Sequence, residues 1–242
     1  MDGIIDIHNH ILPGVDDGAA TMAETVQMLS LAVREGITAV IATPHYHPGR
    51  GTAGISKTEQ VLLKVQEAVL QEGLPVTIYP GNEIFYHDDM VENLENKKIM
   101  TMNGTEYILT EFYPKQPYGV IRQGLLRALS DGYIPIVAHA ERYAELLRHP
   151  DYVEELIEMG CYIQLNAASV MGDYGMKTKL FCKRLLKDEM VHLVATDAHH
   201  ATGSRTMQLQ KCALYIEKKY GRDYADRIFR DNPSLLLKGT YI

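Results

Sequence analysis

Short apolar runs alternate along the chain with longer stretches in which apolar residues recur at helical spacing. The short runs predict seven β-strands, and several of them are apolar at nearly every position, as strands buried on both faces of a parallel sheet are. The predicted strands are Ile4–His8, Thr38–Ala42, Val76–Glu83, Tyr107–Glu111, Ile134–Ala138, Tyr162–Asn166 and His192–Ala195.

The amphipathic stretches between these strands predict helices. They include Met22–Glu35, Lys57–Glu72, Tyr118–Asp131, Asp151–Met159, Lys177–Asp188 and Ser204–Tyr220. Strict alternation of strand and helix favours parallel strands joined by right-handed crossovers. Seven such units in 242 residues indicate a closed or distorted α/β barrel, and an open doubly wound sheet is the alternative. No Gly-x-Gly-x-x-Gly follows the first strand, which argues against a dinucleotide-binding fold.

The composition is typical of one globular domain spanning residues 1–242, with 46% hydrophobic and 23% charged residues. A formal charge of −7 argues against nucleic-acid binding, which needs a positive surface. No apolar run reaches the length of a membrane span, and no basic region precedes Arg34, so we expect neither membrane insertion nor a secretory signal. Three cysteines cannot all pair with one another, which is typical of a reducing compartment and predicts a cytoplasmic protein.

Residues able to bind a metal stand where the predicted strands end. Six of the seven strand ends carry His, Asp or Glu, and in an α/β barrel these ends converge on one mouth. Imidazoles and carboxylates without a thiolate suit Zn, Mn or Fe. Each such residue alone has an ordinary explanation, such as a helix cap at Asp197 or a turn at Asp16-Asp17-Gly18. Their joint placement favours a metal site, because buried charges are costly unless they are paired or bound to a metal.

A thiolate mechanism is excluded by spacing. Cysteine-based phosphatases need an arginine six positions after the cysteine, where this chain has Ala167, Asp188 and Lys218. His47 and His200 adjoin the strand-end residues; a surface or packing role is expected for them, and a role in orienting a ligand or facing a substrate stays open.

The strand-end motifs together resemble the polymerase and histidinol phosphatase (PHP) superfamily. The residues that carry the resemblance are His8-Asn9-His10, Thr43-Pro44-His45, Gly81-Asn82-Glu83, His139-Ala140-Glu141-Arg142 and Asp197-Ala198-His199. Residues 6–18 are more closely similar to its bacterial tyrosine-phosphatase branch, which is encoded with capsule and exopolysaccharide genes. The resemblance covers essentially the whole chain. It implies a distorted seven-stranded (β/α) barrel with a metal site at the carboxyl ends of the strands.

The same resemblance implies a set of ligands for two or three metal ions, usually manganese, with zinc or iron possible in crystals. One ion is expected at His8, His10, Glu83 and Asp197, a second at Glu83, Glu111 and His139, and a third at Asp17, His45 and His199. Arg142 and Arg205 match the phosphate-binding arginines of the family. Many relatives have histidine in place of Asp17 and Glu111, so carboxylates there favour the tyrosine-phosphatase branch over histidinol phosphatase.

The implied activity is hydrolysis of phosphotyrosine by metal-activated hydroxide. The implied substrate is the tyrosine-rich tail of a kinase that regulates polysaccharide export. A phenolate with a pKa of about 10 needs little acid assistance to leave, and the proton donor stays open between a metal-bound water and His199. The alternatives are a small-molecule phosphatase of the histidinol phosphate type or another phosphoesterase and, from a different class, a non-catalytic metal-binding module.

Overall fold

The computed structural model describes residues 3–49 and 53–242. Within these ranges it has nine parallel strands: β1 (Ile4–Asn9), β2 (Ile37–Ala42), β3 (His45–Tyr46), β4 (Thr77–Pro80), β5 (Glu83–Phe85), β6 (Tyr107–Glu111), β7 (Ile134–Val137), β8 (Tyr162–Asn166) and β9 (Leu193–Ala195). The helices are α1 (Met22–Arg34), α2 (Ile55–Gln71), α3 (Met90–Glu95), α4 (Tyr118–Ser130), α5 (Ala144–Arg148), α6 (Asp151–Glu158), α7 (Ala167–Met171), α8 (Met176–Lys187), α9 (Gln210–Tyr220), α10 (Arg222–Asp226) and α11 (Asn232–Leu237). None of the helices in these ranges is long and apolar enough to cross a membrane.

The strands form two parallel sheets that curl towards each other. One sheet has the order β1-β2-β4 and the other the order β3-β5-β6-β7-β8-β9. Hydrogen bonds join the outer edges, since the His10 amide donates to the Ala198 carbonyl at 2.8 Å and the Asp197 amide to the His8 carbonyl at 2.8 Å. The carboxyl ends of the first and last strands therefore lie side by side.

The break between the sheets is the main difference from the predicted strands. The predicted strand Val76–Glu83 is two strands, β4 and β5, and β3 follows β2 after an interruption at Thr43-Pro44. Pro44 has no amide proton to donate to a ladder, while its carbonyl accepts from the Glu83 amide at 3.1 Å and from Asn82 Nδ2 at 2.9 Å. Nine short strands in two sheets thus replace the expected seven, and the other six predicted strands agree at both ends within one residue.

One predicted helix begins later than expected. Ser204–Tyr220 is helical from Gln210 as α9, whereas the other predicted helices agree within two residues. The Glu35 carboxylate accepts from the amides of Leu209 and Gln210 at 3.1 and 3.0 Å and so satisfies the first turn of α9. A carboxylate distant in sequence therefore sets this boundary.

The apolar residues of the strands divide between two sides of the sheets. One set, with Ile4, Val40 and Val194, packs against the helices that surround the sheets. The other set, with Ile7 and Leu109, packs together inside the curve. Because both faces are covered, the strands read as nearly continuous apolar runs, and polar side chains concentrate where the strands end.

Candidate metal centre

All nine predicted ligands lie in one cluster, where β1, β6, β7 and β9 end and where β3 and β5 begin. They come from β1 and the segment after it (His8, His10, Asp17), from β3, β5 and β6 (His45, Glu83, Glu111), and from the segments after β7 and β9 (His139, Asp197, His199). Four overlapping groups of these side chains have ligand atoms within 4.8 Å of one another: His10/Asp17/His45/His199, His8/His10/Asp197, His8/Glu83/His139 and His45/Glu83/Glu111.

Glu83 is the carboxylate around which the cluster is arranged. Its Oε2 atom lies 3.2 Å from His8 Nε2, 3.3 Å from His10 Nε2 and 3.0 Å from His45 Nδ1. Its Oε1 atom lies 2.7 Å from His139 Nε2. Glu83 is fully buried, so its charge must be balanced by these neighbours or by a cation.

The remaining carboxylates complete the cluster on either side of Glu83. Asp197 Oδ1 lies 3.6 and 3.5 Å from the Nε2 atoms of His8 and His10. Glu111 Oε1 lies 3.1 Å from His45 Nδ1. The most exposed member is Asp17, whose Oδ1 atom lies 3.4 Å from His45 Nε2.

Hydrogen bonds orient three of the imidazoles towards the shared space. His8 Nδ1 donates to Gln164 Oε1 at 3.1 Å, and His10 Nδ1 donates to Asp16 Oδ2 at 2.7 Å. His199 Nδ1 donates to the Asp197 carbonyl at 3.0 Å. Because each partner is an acceptor, Nδ1 carries a proton, and in the neutral imidazole the Nε2 lone pair faces the other ligands. Metal-binding histidines are held in this way in proteins.

A divalent cation fits among the imidazole nitrogens and carboxylate oxygens that these hydrogen bonds do not use. The Nε2 atoms of His8 and His10 face each other at 3.4 Å. The buried Oε2 atom of Glu83 accepts no hydrogen bond although three imidazole nitrogens surround it, and His199 Nε2 is also without a hydrogen-bond partner. In the neutral imidazoles these lone pairs converge beside a buried carboxylate, as ligands of a cation do, and nitrogen and oxygen donors suit Zn, Mn or Fe.

The electrostatics of the cluster point the same way. Burial alone would raise the pKa of Glu83 and of Asp197, but the neighbouring His8 and other positive groups hold both pKa values well below their usual range. Burial lowers the pKa of His45, yet the charge of Glu83 and the hydrogen bond to Glu111 outweigh it and raise that pKa to about 10. Protons on imidazoles thus balance the carboxylates here, and a bound cation would supply that charge instead.

The two predicted phosphate-binding arginines both reach Asp197. Arg142 Nη2 lies 2.6 Å from Asp197 Oδ2, and Arg205 Nη2 donates to Asp197 Oδ1 at 2.8 Å. Each arginine side chain is 29% exposed. A guanidinium has five N–H donors, so both side chains retain donors for an anion after they bind Asp197.

Backbone strain accompanies the same residues. His139, Asp197 and Arg205 adopt φ values of +33°, +52° and +55°, in the region that residues other than glycine rarely occupy. Such conformations cost about 1–3 kcal/mol each and persist where the surroundings enforce them, most often at functional sites.

Sequence reasoning missed the residues that orient the cluster. Gln164 and Asn166 lie on β8, which is the one predicted strand whose end carries no His, Asp or Glu, and Asn166 Nδ2 donates to Asp197 Oδ2 at 2.8 Å. Asp16 forms the predicted turn, with Oδ1 accepting from the Gly18 amide at 3.0 Å, while its Oδ2 atom binds His10. Neutral amides at a strand end carry no signal that separates this role from simple packing.

The two histidines whose role was left open lie in different surroundings in the structure. His47 lines the cavity beside the cluster and stacks on Phe85, with ring centroids 4.1 Å apart. The exposed His200 turns away to Glu24, with Nδ1 3.6 Å from Oε1.

Known proteins match this chain over its whole length. A family model described as "Capsular polysaccharide synthesis, CpsB/CapC" matches residues 4–238. The tyrosine-protein phosphatase CpsB of Streptococcus pneumoniae is 36% identical over 99% of this chain and 100% of its own. A crystal structure from work on YwqE of Bacillus subtilis and CpsB of S. pneumoniae, described as unique metal-dependent tyrosine phosphatases, has a TM-score of 0.92 at 33% identity over 99% of this chain and 96% of its own. Histidinol phosphate phosphatase of Lactococcus lactis shares the fold, with a TM-score of 0.60 at 14% identity over 91% of this chain and 95% of its own.

Proposed function

Because this chain belongs to the CpsB/CapC family of capsular polysaccharide synthesis, we propose that it is a metal-dependent protein-tyrosine phosphatase. Membership confirms the resemblance to the capsule-locus branch of the PHP superfamily. The observation that carries the proposal is the convergence of five imidazoles and four carboxylates beside two arginines, with three imidazole nitrogens facing a buried carboxylate.

The ligand set proposed here is the one that the resemblance implies. His8, His10, Glu83 and Asp197 would hold one Mn²⁺ ion, Glu83 with Glu111 and His139 a second, and Asp17 with His45 and His199 a third. The overlapping groups around Glu83, His10 and His45 support two or three ions. Divalent cations in such a site lower the pKa of water and neutralise the charge of a phosphate ester.

Arg142 and Arg205 bind the substrate in this proposal. Their guanidinium groups would donate to the non-bridging oxygens of the phosphate, where charge is greatest. Asp197 orients both side chains, so the donors are positioned before substrate arrives and little ordering entropy is lost on binding.

His199 is proposed as a ligand rather than as the proton donor. Its Nδ1 proton is engaged by the Asp197 carbonyl at 3.0 Å, and Nε2 faces Asp17 Oδ1 at 3.5 Å. An Nε2 lone pair in this position binds a cation and has no proton to give to a leaving phenolate. A phenolate with a pKa of about 10 is a good enough leaving group to depart with little assistance.

The resemblance to the family also leads to proposals about the substrate, the barrel and the cellular location. We propose that the substrate is the tyrosine-rich tail of a kinase that regulates polysaccharide export. We also propose one domain with a distorted seven-stranded barrel, in which β2 with β3 and β4 with β5 each count as one broken strand. A cytoplasmic location is supported by the free, buried Cys161, Cys182 and Cys212.

The proposal is tested with a phosphotyrosine peptide, Mn²⁺ and a chelator. Turnover should require Mn²⁺, disappear with chelator and return when metal is restored. Glu83→Gln should reduce turnover more than about a hundredfold, because the central carboxylate contributes more to metal binding than the groups that merely orient ligands. Glu67→Gln makes the same chemical change on the exposed face of α2 and should leave turnover unchanged.

The alternatives predict different results in the same assay. Faster turnover of histidinol phosphate than of the peptide would favour a small-molecule phosphatase. If chelation lowered the melting temperature and no phosphate ester were hydrolysed, the chain would be a metal-binding module.

A further inference from the structure

A cavity of 690 Å³ opens directly beside the cluster. Its lining includes three of the proposed ligands, Asp17, His45 and Glu111, and this volume is in the usual range of small-molecule sites. On the other side its lining is aromatic, and we name His47, Phe85 and Tyr113 the aromatic wall. A group bound at the ligands would therefore have rings next to it.

The rings of the aromatic wall are packed on one another around Phe85. His47 stacks on Phe85 with ring centroids 4.1 Å apart and planes 21° apart, and Tyr113 meets Phe85 edge to face at 4.5 Å and 67°. Phe85 remains half-buried despite both contacts. Apolar ring surface is thus held in a fixed orientation and still faces the cavity.

The backbone fixes the distance between the wall and the cluster. Phe85 is the register partner of Glu111 across β5 and β6, so the two side chains leave the sheet on the same side, about 4.8 Å apart at the backbone. Phe85 also follows Glu83 by two residues on β5 and shares its face. The backbone of Phe85 therefore lies one strand spacing from that of the proposed ligand Glu111.

We propose that the aromatic wall binds the phenyl ring of the phosphotyrosine side chain and so selects aryl over alkyl phosphates. This inference rests on the proposed function, because it assumes that the phosphate occupies the cluster. A phenyl group there buries apolar area and can pack edge to face on Phe85. The short side chains of phosphoserine and phosphothreonine leave Phe85 in contact with water.

A second cavity, of 390 Å³, lies on the side of Arg205 and is the rival position for the ring. Tyr174 carries the one aromatic ring among its described lining residues, and Arg142 Cζ already lies 5.8 Å from the centre of that ring. The charged residues of the same lining are Asp173, Arg205 and Lys211. The cavity that contains the aromatic wall has more ring surface and is the better match for a phenyl group.

The test measures binding of two phosphonates to the Mn²⁺-loaded protein by calorimetry, which does not depend on turnover. Phenylphosphonate and methylphosphonate carry the same anionic head and differ in the ring. The wild-type protein should bind phenylphosphonate about tenfold more tightly. Phe85→Ala should reduce this ratio to less than about twofold while methylphosphonate still binds, because the ring contact is lost and the anion site remains.

Two further variants make the result decisive. Phe85→Leu keeps most of the side-chain volume, so it is less prone to misfold than Phe85→Ala. It should reduce the ratio of the two affinities about threefold relative to the wild type. Tyr174→Ala in the second cavity should leave the ratio as in the wild type. An unchanged ratio in both Phe85 variants, or its loss in Tyr174→Ala, would overturn the inference, as would a wild-type protein that binds neither phosphonate.

Turnover of a phosphotyrosine peptide by the same preparations separates the two proposals. A wild-type protein that prefers phenylphosphonate through Phe85 but hydrolyses no phosphotyrosine would refute the proposed function and leave the aromatic wall supported. An active wild-type protein whose ring preference ignores Phe85 would refute the aromatic wall alone.

Discussion

Replacing Gly18 by alanine should damage the metal centre although every ligand residue is retained. A Cβ atom built on Gly18 lies 2.1 Å from the His10 carbonyl oxygen and 2.5 Å from His10 Cβ. Real Cβ atoms stay at least 3.0 Å from such atoms, so the loop and His10 must separate by 3.0 − 2.1 = 0.9 Å at the closest contact. The atoms in the way are backbone, or fixed to it, and no side chain can rotate to make room.

That displacement disturbs the hydrogen bonds that orient the ligands of the metal centre. The Ala19 amide donates to the same His10 carbonyl at 3.0 Å, and Asp16 accepts from His10 Nδ1 at 2.7 Å and from the His45 amide at 2.9 Å. Loss of such orienting groups typically weakens metal binding about 10- to 100-fold. Overpacking of this kind also costs about 1–3 kcal/mol of folding free energy.

Calorimetric titration of the metal-free protein with Mn²⁺ measures the first effect and chemical unfolding the second. Gly119→Ala is the matched control, because no atom lies within 4 Å of its added Cβ and Gly119 does not have a positive φ. Mn²⁺ affinity of Gly18→Ala within twofold of this control would refute the reasoning that links the loop to the ligands.

Three further substitutions test separate parts of the account. Asp16→Asn should weaken Mn²⁺ binding about 10- to 100-fold, and calorimetry showing unchanged affinity would remove Asp16 from the centre. Arg142→Ala should keep its Mn²⁺ content by elemental analysis while kcat/KM for a phosphotyrosine peptide falls about 10- to 100-fold, as for a lost charged hydrogen bond; full activity would contradict its role. Burial, aided by Arg227, lowers the pKa of His192 to about 4. The unfolded chain therefore binds more protons between about pH 6.5 and 4. When the pH falls from 7 to 5, the free energy of unfolding of metal-free wild-type protein should thus decrease by about 2 kcal/mol more than that of His192→Gln, as measured by urea unfolding. Equal decreases would show that His192 does not titrate in this range.

The charged residues at the strand ends could be predicted from the sequence, because a strand that is buried on both faces has few positions for a charged side chain. His8 and His10, Glu111 and His139 each follow an apolar run at the position where a parallel sheet exposes its carboxyl edge. Strict alternation with amphipathic helices then indicated that these edges meet. The convergence of the nine side chains agrees with that reasoning, whereas their division among individual ions is a proposal taken from the family.

The features that the sequence did not reveal depend on contacts between distant residues. The break at Pro44 relies on its carbonyl accepting from Glu83, and the start of α9 relies on the Glu35 carboxylate. Gln164 and Asn166 orient His8 and Asp197 through ordinary amide hydrogen bonds. Secondary-structure propensity and hydrophobic periodicity are local properties of the sequence and carry no information about such long-range partners.

The cation cluster itself is tested most directly by anomalous diffraction at the manganese edge from crystals grown with Mn²⁺. We predict two or three peaks inside the cluster, with at least one at coordination distance from Glu83. Crystals of catalytically active protein with no manganese peak among these side chains would contradict it.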